Sequence, residues 1–229
     1  MTLKKTHYII DSGNTFLKVA SFKEDKLINV ERFSDVNGVS IDEKLPGIFC
    51  SVNHENLFSN LINLRDIKDK LNYPTHYEHS IGIDRRVLVY DLLKIRQISD
   101  AVIIDAGSFI TIDFITNSTH MGGFIFPGLK NFLETYHVKG KKLPSLSVQS
   151  AIKPINHKTF PENTHEAISM AFTHYITSMM NLIEGQKNIY ITGGDAKEII
   201  GFINSSEVIH EENFLLEALN RIYISLSIL

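Results

Sequence analysis

Short apolar runs alternate with polar turns along the first half of the chain. An apolar run enters a polar turn at residues 11–14, and two further runs rich in β-branched and aromatic residues follow this turn. Pro46-Gly47 then breaks the pattern before another apolar run. The predicted strands cover residues 8–10, 15–22, 27–33 and 48–52. The pattern therefore predicts a three-stranded meander followed by a fourth strand.

Helical spacing replaces the strand pattern after the fourth predicted strand. Leu57, Leu61 and Leu64 lie on one face of a helix, which predicts a helix there. Apolar residues recur at helical spacing between residues 85 and 95, and Asp84 is placed to cap the start of this second helix. Asp84 is therefore expected at a helix N-terminus.

The second half of the chain repeats the plan of the first half. The run Ile9-Ile10-Asp11-Ser12-Gly13 matches Ile103-Ile104-Asp105-Ala106-Gly107, which lies 94 residues later. This match indicates an internal duplication, with lobes at 1–98 and 99–229 and a cleft between them. Strands are predicted at 101–104, around 110–114, at 121–126 and at 188–192, and helices at 164–182, at 195–203 and from about 212 onward.

The composition is that of a folded globular protein. Hydrophobic residues make up 43% of the 229 residues and charged residues 21%. The net charge of −3 favours small molecules or proteins as partners over nucleic acid or an anionic membrane. Cys50 is the single cysteine and lies in an apolar run, so it is expected to be a buried thiol. No apolar run of 18 residues and no signal-like segment occurs, and we expect a cytoplasmic protein.

Each Asp-x-Gly turn follows a predicted buried strand. Glycine lets backbone N–H groups approach a phosphate while the aspartate holds a cation. A single such turn is common in hairpins, but two copies favour a duplicated phosphate-binding fold, to which Thr15, Ser108 and Thr111 would add hydroxyl groups. The Gly193-Gly194 pair could lie against an adenine or ribose, or it could form a simple turn with Asp195 as the next helix cap.

Six short elements occur in order along the chain: Asp11-Ser12-Gly13-Asn14-Thr15, Gly82-Ile83-Asp84-Arg85, Asp105-Ala106-Gly107-Ser108, residues 122–128, Asn163-Thr164 and residues 192–196. Taken together, this ordered set resembles the type III pantothenate kinases of the actin-like, sugar-kinase and heat-shock ATPase superfamily. The resemblance implies an α/β fold of duplicated ribonuclease-H-like lobes, each with a mixed sheet and flanking helices, and a nucleotide cleft between the lobes. It also implies transfer of the ATP γ-phosphoryl group to the terminal hydroxyl of pantothenate, the first step of coenzyme A biosynthesis.

The resemblance also implies roles for individual residues. Asp84 is expected to be the catalytic base that accepts the hydroxyl proton. Asp105 is expected to bind a monovalent cation, K⁺ or NH₄⁺, and Asp11 to lie near the Mg²⁺ that accompanies ATP. ATP is expected to contact Asp11, Ser12, Gly13, Asn14, Thr15, Phe16, Leu17, Lys18, Ser108, Gly193 and Gly194. Pantothenate is expected to contact Tyr77, Gly82, Ile83, Asp84, Arg85 and Thr164.

Several alternatives remain open at this point. Tyr73 is a second candidate for the tyrosine role given to Tyr77, and Asn163-Thr164 with Glu166 also has the pattern of a helix start. The family more often has Thr-Ala where this chain has Ser108-Phe109. The protein could instead be a kinase for a sugar or related alcohol, or a non-catalytic nucleotide-binding regulator. The apolar terminal helix could belong to the core or to a subunit interface, and the resemblance favours a homodimer.

Overall fold

A computed structural model describes residues 6–13, 15–51, 58–78, 80–153 and 160–227. The chain forms two compact units, each assembled from separate stretches of sequence. The first unit comprises Met1–Asp100, Ile115–Gly122 and Asn213–Leu229, and the second comprises Ala101–Phe114 and Gly123–Glu212. Within the described residues, no helix has both the length and the apolar character needed to cross a membrane.

The first sheet has five strands in the order β3-β2-β1-β4-β5. Strand β1 forms an antiparallel hairpin with β2 and runs parallel to β4 on its other side. The strands are β1 (Thr6–Ser12), β2 (Leu17–Lys23), β3 (Lys26–Phe33), β4 (Gly47–Ser51) and β5 (Ile62–Asn63). Every residue of β4 is buried, as expected for a central strand made largely of apolar residues. The predicted meander and the strand that follows it are confirmed.

The second sheet has the order β10-β9-β6-β7-β8, which read from its meander edge repeats the order of the first sheet. Strand β6 runs parallel to β9, as β1 does to β4. The strands are β6 (Ala101–Ala106), β7 (Phe109–Thr116), β8 (Thr119–Pro127), β9 (Ile189–Thr192) and β10 (Val208–His210). The duplication inferred from the two Asp-x-Gly turns is therefore a duplication of topology.

One α-helix lies between the two sheets in the sequence, and five follow the meander of the second sheet in the described residues. They are α1 (Ile83–Tyr90), α2 (Leu129–Lys139), α3 (Val148–Ala151), α4 (Thr164–Asn181), α5 (Ala196–Ile200) and α6 (Phe214–Ser227). The start of α4 agrees with the predicted helix start. The Asn163 side chain accepts the Glu166 N–H at 3.0 Å, and the Glu166 carboxylate accepts the Glu162 N–H at 2.9 Å.

The helix predicted around Leu57, Leu61 and Leu64 is wrong in its described part, and Leu57 lies outside the described residues. The chain instead adds strand β5 beside β4 and then forms a 3-10 helix over Leu64–Lys70. The Asn63 side chain accepts the Arg65 N–H at 3.0 Å and so starts this helix. Leu61 and Leu64 are buried, so their apolar spacing reports burial without an α-helix.

The cap of helix α1 also differs from the prediction. Gly82 is the N-cap, and Asp84 is the second residue of the helix, where its Oδ1 accepts the Arg85 N–H at 2.9 Å. Asp84 therefore lies at the helix N-terminus as expected but does not cap it. Helix α5 is likewise shorter than predicted, and Asp195 precedes it without a side-chain capping bond.

Helix α6 belongs to the first unit, whereas the sequence placed all of 99–229 in the second lobe. Buried polar contacts explain this placement. Asn220 Oδ1 lies 2.6 Å from His7 Nε2. Arg221 donates to both carboxylate oxygens of Asp91, at 2.7 and 2.9 Å, and Asp91 is fully buried just after α1. A buried carboxylate is stable only with such partners, so α6 is held against the elements of the first unit.

Candidate functional site

The end of β1 carries the first Asp-x-Gly turn. Asp11 is 8% exposed, and in the strand register it lies opposite Lys18 on β2 and beside Cys50 on β4. The Gly13 N–H donates to the Phe16 carbonyl at 3.1 Å and closes the turn. The structure therefore brings Asp11 and Lys18 together where β1 ends and β2 begins.

The remaining residues of this predicted phosphate loop have different surroundings. Ser12 is buried, whereas Thr15 and Phe16 are exposed at the turn. Leu17 packs in an apolar cluster, so its side chain is part of the core. Asn14 lies outside the described residues. Any contact of Leu17 with a nucleotide would therefore have to use its backbone.

Burial and a second carboxylate change the acidity of this site. Burial raises the pKa of Asp11 to about 6; the nearby Asp84 carboxylate adds to the rise, and Lys18 opposes it. The pKa of the Cys50 thiol is raised by burial and by the charges of Asp11 and Asp84, while Arg65 lowers it. The charges of Asp11, Asp84 and Arg65 therefore all act on the same buried thiol.

Arg65 is a member of this group that the sequence did not reveal. Its Nε donates to the Ser51 carbonyl at 3.0 Å, which places the side chain at the end of β4. In the sequence, Arg65 lies in a stretch of alternating charges that is typical of a solvated surface. The folded conformation of the segment before Arg65, and no local sequence pattern, brings its side chain to the end of β4.

Gly82 makes room for the Asp84 carboxylate. A Cβ atom at residue 82 would lie 2.6 Å from Asp84 Oδ1, too close for an unshifted contact. The bond from the Arg85 N–H fixes the same oxygen. The Gly-x-Asp-Arg element therefore has a steric reason for its glycine: it leaves the start of α1 open around a carboxylate.

Arg85 is buried against Tyr77. Its side chain is 4% exposed, and its Cζ lies 4.9 Å from the centroid of the Tyr77 ring, a cation–π arrangement. Arg85 Nη1 also donates to Tyr77 Oη at 3.5 Å, while the neighbouring Ile83 is half-buried. Tyr73, the other candidate, packs edge to face on His120 with the ring centroids 5.9 Å apart. Tyr77 is thus the tyrosine that contacts Arg85.

The second Asp-x-Gly turn, in the second unit, is also closed by a bond from its glycine N–H, but it is tighter than the first: β6 ends at Ala106 and β7 begins at Phe109, whereas β1 ends at Ser12 and β2 begins at Leu17. The Gly107 N–H donates to the Phe109 carbonyl at 3.1 Å, the counterpart of the bond from Gly13 to Phe16. Asp105 is half-buried and pairs with Thr192 on β9. The Ser108 carbonyl accepts the Gly128 N–H at 2.9 Å, which ties this turn to the start of α2.

The Gly193-Gly194 pair lies next to the second Asp-x-Gly turn, where Gly193 packs against the Ala106 backbone. Gly193 has φ +97°, and its Cβ would collide with the backbone of Ala106, so glycine is required there. Gly194 faces open space. Burial raises the pKa of Asp195 and Glu198 adds to the rise, whereas a bond from the Leu129 N–H opposes it. The Asp195 carboxylate therefore faces the start of α2.

Thr164 is the first residue of α4 and is exposed in the second unit. The structure thus assigns Thr164, Asp105, Ser108 and the glycine pair to the second unit. The first hairpin, with the Gly82–Arg85 segment and Tyr77, belongs to the first unit.

Comparisons with known proteins agree on one family. The sequence pattern of the type III pantothenate kinase family matches residues 50–186. The chain is 30% identical over 235 residues to the type III pantothenate kinase of Flavobacterium psychrophilum, covering 93% of this chain and 97% of that protein.

Solved structures give the same fold. A Campylobacter jejuni protein described as a member of the Baf family of transcriptional activators has a TM-score of 0.68 and 25% identity, covering 97% of this chain and 100% of that one. Component A of (R)-2-hydroxyglutaryl-CoA dehydratase from Acidaminococcus fermentans has a TM-score of 0.57 at 10% identity, covering 98% and 99% of the two chains. With the two sheets of equal order, these likenesses establish the duplicated ribonuclease-H-like fold.

Proposed function

The chain belongs to the type III pantothenate kinase family, and from this membership we propose that it transfers the γ-phosphoryl group of ATP to the terminal hydroxyl of pantothenate. The product would be 4′-phosphopantothenate, which enters coenzyme A biosynthesis. The observation that carries the proposal is the family match across residues 50–186, a range that contains both the Gly82–Arg85 segment and Asp105.

Asp84 is the proposed general base. It lies at the N-terminus of α1, where Gly82 leaves space beside its carboxylate and the Arg85 N–H orients it. A primary alcohol loses its proton as it attacks phosphorus, and a carboxylate within reach can accept that proton. Phosphoryl transfer otherwise depends on positioning and charge neutralisation. Asp84 would therefore orient the pantothenate hydroxyl and then take its proton.

The first hairpin is proposed to bind the phosphates of ATP. Backbone N–H groups at a glycine turn suit phosphate oxygens, and the Lys18 ammonium adds positive charge opposite Asp11. Mg²⁺ is proposed to bind beside Asp11, because a hard cation prefers carboxylate oxygens and because burial and the Asp84 charge both disfavour an uncompensated Asp11 carboxylate. When bound, Mg²⁺ would neutralise phosphate charge. Asp11 would hold that cation at a fixed place near the phosphates.

The second hairpin is proposed to hold a monovalent cation through Asp105 and to contact ATP through Ser108. The Ser108 backbone is fixed by α2, which keeps the turn in one conformation. Gly194, with open space around it, is proposed to let the nucleotide approach the backbone. K⁺ or NH₄⁺ would reduce the repulsion between the ATP phosphates and this carboxylate.

The acceptor is proposed to contact Tyr77, Arg85 and Thr164, together with the Gly82-Ile83 backbone. The Arg85 guanidinium presents a planar set of donors that suits the oxygen atoms and the carboxylate of pantothenate. We further propose that the enzyme acts as a homodimer in the cytoplasm, where ATP is made and used. Phe124 and Ile125, which lie exposed on the edge strand β8, are compatible with burial against a second subunit.

The test is a product assay. The protein is incubated with ATP, Mg²⁺, K⁺ and either pantothenate or a panel of hexoses, and the products are identified by mass spectrometry. We expect 4′-phosphopantothenate and no sugar phosphate. A hexose phosphate without phosphopantothenate would instead favour a sugar kinase. ATP binding without any phosphorylated product would favour a non-catalytic nucleotide-binding regulator.

A further inference from the structure

Residues 74–76 lie along the start of β8 and pair with it at His120. The His120 N–H donates to the Pro74 carbonyl at 2.9 Å, and the His76 N–H donates to the His120 carbonyl at 2.9 Å. Thr75 and His120 form a parallel bridge. Because β8 is at the edge of its sheet, this segment extends the sheet at one point. The pairing brings the Thr75 side chain next to His120.

The Thr75 hydroxyl connects the His120 ring to the backbone of Tyr77. His120 is fully buried, and its Nδ1 lies 3.0 Å from Thr75 Oγ1. The same Oγ1 accepts the Tyr77 N–H at 2.9 Å. A hydroxyl has one proton and two lone pairs, so it can make both bonds at once. The backbone at Tyr77 is therefore fixed relative to the buried imidazole.

The Tyr77 ring has three neighbours that define its orientation. Its centroid lies 5.9 Å from that of His120, with the rings tilted by 35°. Gly122, at φ +108°, leaves room for the ring, because a Cβ there would lie 3.2 Å from Tyr77 Cδ2. The third neighbour is the Arg85 guanidinium, 4.9 Å from the ring centroid. A shift of the Tyr77 ring would therefore change the position that Arg85 occupies.

We propose that His120 is a positioning residue for acceptor binding, which acts through Thr75 and Tyr77 to hold Arg85 in its binding orientation. The inference rests on the proposed role of Arg85 in binding pantothenate. His120 is buried and reaches that role only through its neighbours. Both tyrosine rings pack on His120, and the Tyr77 backbone is in addition bonded to it through Thr75.

Three variants separate the hydrogen bond from the ring. Thr75→Val removes the hydroxyl at an exposed position, where the fold should tolerate the change. His120→Phe keeps a ring without Nδ1, and His120→Asn keeps a polar group near the place of Nδ1. Loss of the hydrogen bond between Thr75 and His120 should raise the KM for pantothenate about tenfold in Thr75→Val and His120→Phe. The kcat and the KM for ATP should stay near their wild-type values, and His120→Asn should restore part of the loss.

His7→Phe is the matched control. His7 is also a fully buried histidine of the first unit, with its Nε2 2.6 Å from Asn220 Oδ1, and it stacks on Phe22. This variant should lower the melting temperature and leave the KM for pantothenate unchanged. If Thr75→Val and His120→Phe also lower only the melting temperature, or if they raise both KM values alike, His120 has a structural role only and the proposal is overturned.

An NMR measurement that does not depend on enzyme turnover tests the same contacts. The Tyr77 ring should shift the side-chain NMR resonances of Arg85, which are assigned by their disappearance in Arg85→Lys. We expect this displacement of the Arg85 chemical shifts to disappear in Thr75→Val and His120→Phe and to remain in His7→Phe. A wild-type protein that does not phosphorylate pantothenate would refute the proposed function, while the Arg85 resonance would still decide the positioning. An unchanged resonance in both variants would refute the positioning even in an active enzyme.

Discussion

The two Asp-x-Gly hairpins share a topology and a closing bond but differ in what surrounds their carboxylates. In both, the glycine N–H donates to a phenylalanine carbonyl at 3.1 Å. Asp11 is buried beside Cys50, and its pKa is raised to about 6. Asp105 is half-buried beside Thr192, which offers a hydroxyl. The repeated sequence thus places a strand end and a glycine N–H bond in both hairpins but leaves the second turn shorter, and the neighbouring parallel strand sets the environment of the carboxylate.

The helices next to the hairpins increase this difference. In the first unit, the start of α1 brings the Asp84 carboxylate close enough to affect Asp11. In the second unit, the start of α2 is occupied by the Asp195 carboxylate and the Ser108 carbonyl. The first hairpin therefore has a second carboxylate nearby, whose charge contributes to the raised pKa of Asp11. The second hairpin is held by backbone bonds and suits a fixed binding role.

Replacing Asp84 should have the largest effect, because Asp84, beside the first hairpin, is the proposed general base. Asp84→Asn keeps the shape of the side chain and loses the base, so phosphorylation should fall by about 10² to 10⁴. The melting temperature should change little, because Asp84 caps no helix. Steady-state kinetics and calorimetry measure the two effects. Glu217→Gln, in the first turn of α6, is the control and should stay active. Near-normal turnover in Asp84→Asn would place the base elsewhere.

Replacing Asp11 should change stability in the opposite direction to activity. Its pKa is about 6 in the folded protein against 3.8 in the unfolded chain, so the folded state holds more protons between these values. The free energy of unfolding therefore falls as pH rises through this window. Without Mg²⁺ or nucleotide, Asp11→Asn should be more stable than wild type at pH 7.5, by at most about 3 kcal/mol, with no difference below pH ~3.5.

Urea unfolding across pH measures this effect, with Asp105→Asn as the comparison. The change at Asp105 should be smaller, because that carboxylate is half-buried and pairs with a threonine strand neighbour. Equal stabilisation by both substitutions would show that the two hairpins do not differ as described. Activity should fall in Asp11→Asn, because the proposed Mg²⁺ ligand is lost.

Adding one methyl group at Gly82 tests the space around Asp84. The new Cβ would lie 2.6 Å from Asp84 Oδ1 and must displace it. A small displacement of a reacting group costs rate, so kcat in Gly82→Ala should fall about tenfold. Gly201→Ala is the control, since its Cβ would meet only the Glu198 carbonyl at 3.9 Å. Unchanged kcat in Gly82→Ala would mean that the carboxylate position is not critical.

The smallest expected effect concerns the cation at the second hairpin. Wild-type activity should rise when K⁺ or NH₄⁺ replaces Na⁺, and Asp105→Asn should blunt this response. Rates measured in chloride salts at constant ionic strength test the prediction. Equal wild-type rates in Na⁺ and K⁺ would contradict the proposal that Asp105 binds a monovalent cation.

The regular elements could be predicted because their signals are local. Alternation and helical spacing located both meanders and helix α4, and the repeated Asp-x-Gly located both hairpins. Strand β10 was missed because Val208–His210 is only three residues long and largely exposed. The helix expected around Leu61 was wrong because burial of these leucines comes from the sheet and the 3-10 helix.

The site was predicted only where a motif carries it. Asp84 and Arg85 belong to one short motif, so their proximity to each other follows from the sequence. Arg65 and His120 lie far along the chain from their partners, and pairing of distant strands brings them there. No local pattern marks such residues. The surroundings that raise the pKa of Asp11 likewise depend on Cys50 and Asp84, which reach it only in the folded chain.

The contact between His7 and Asn220 has a consequence for folding during synthesis. These two residues are 213 positions apart, and both belong to the first unit. A ribosome that has already released β1 must still add the residues of α6 before this unit can complete its core. The second unit ends at Glu212, so all of its strands are available earlier. We therefore expect the second unit to fold first on the ribosome, and protease pulse experiments on stalled chains of increasing length would reveal that order.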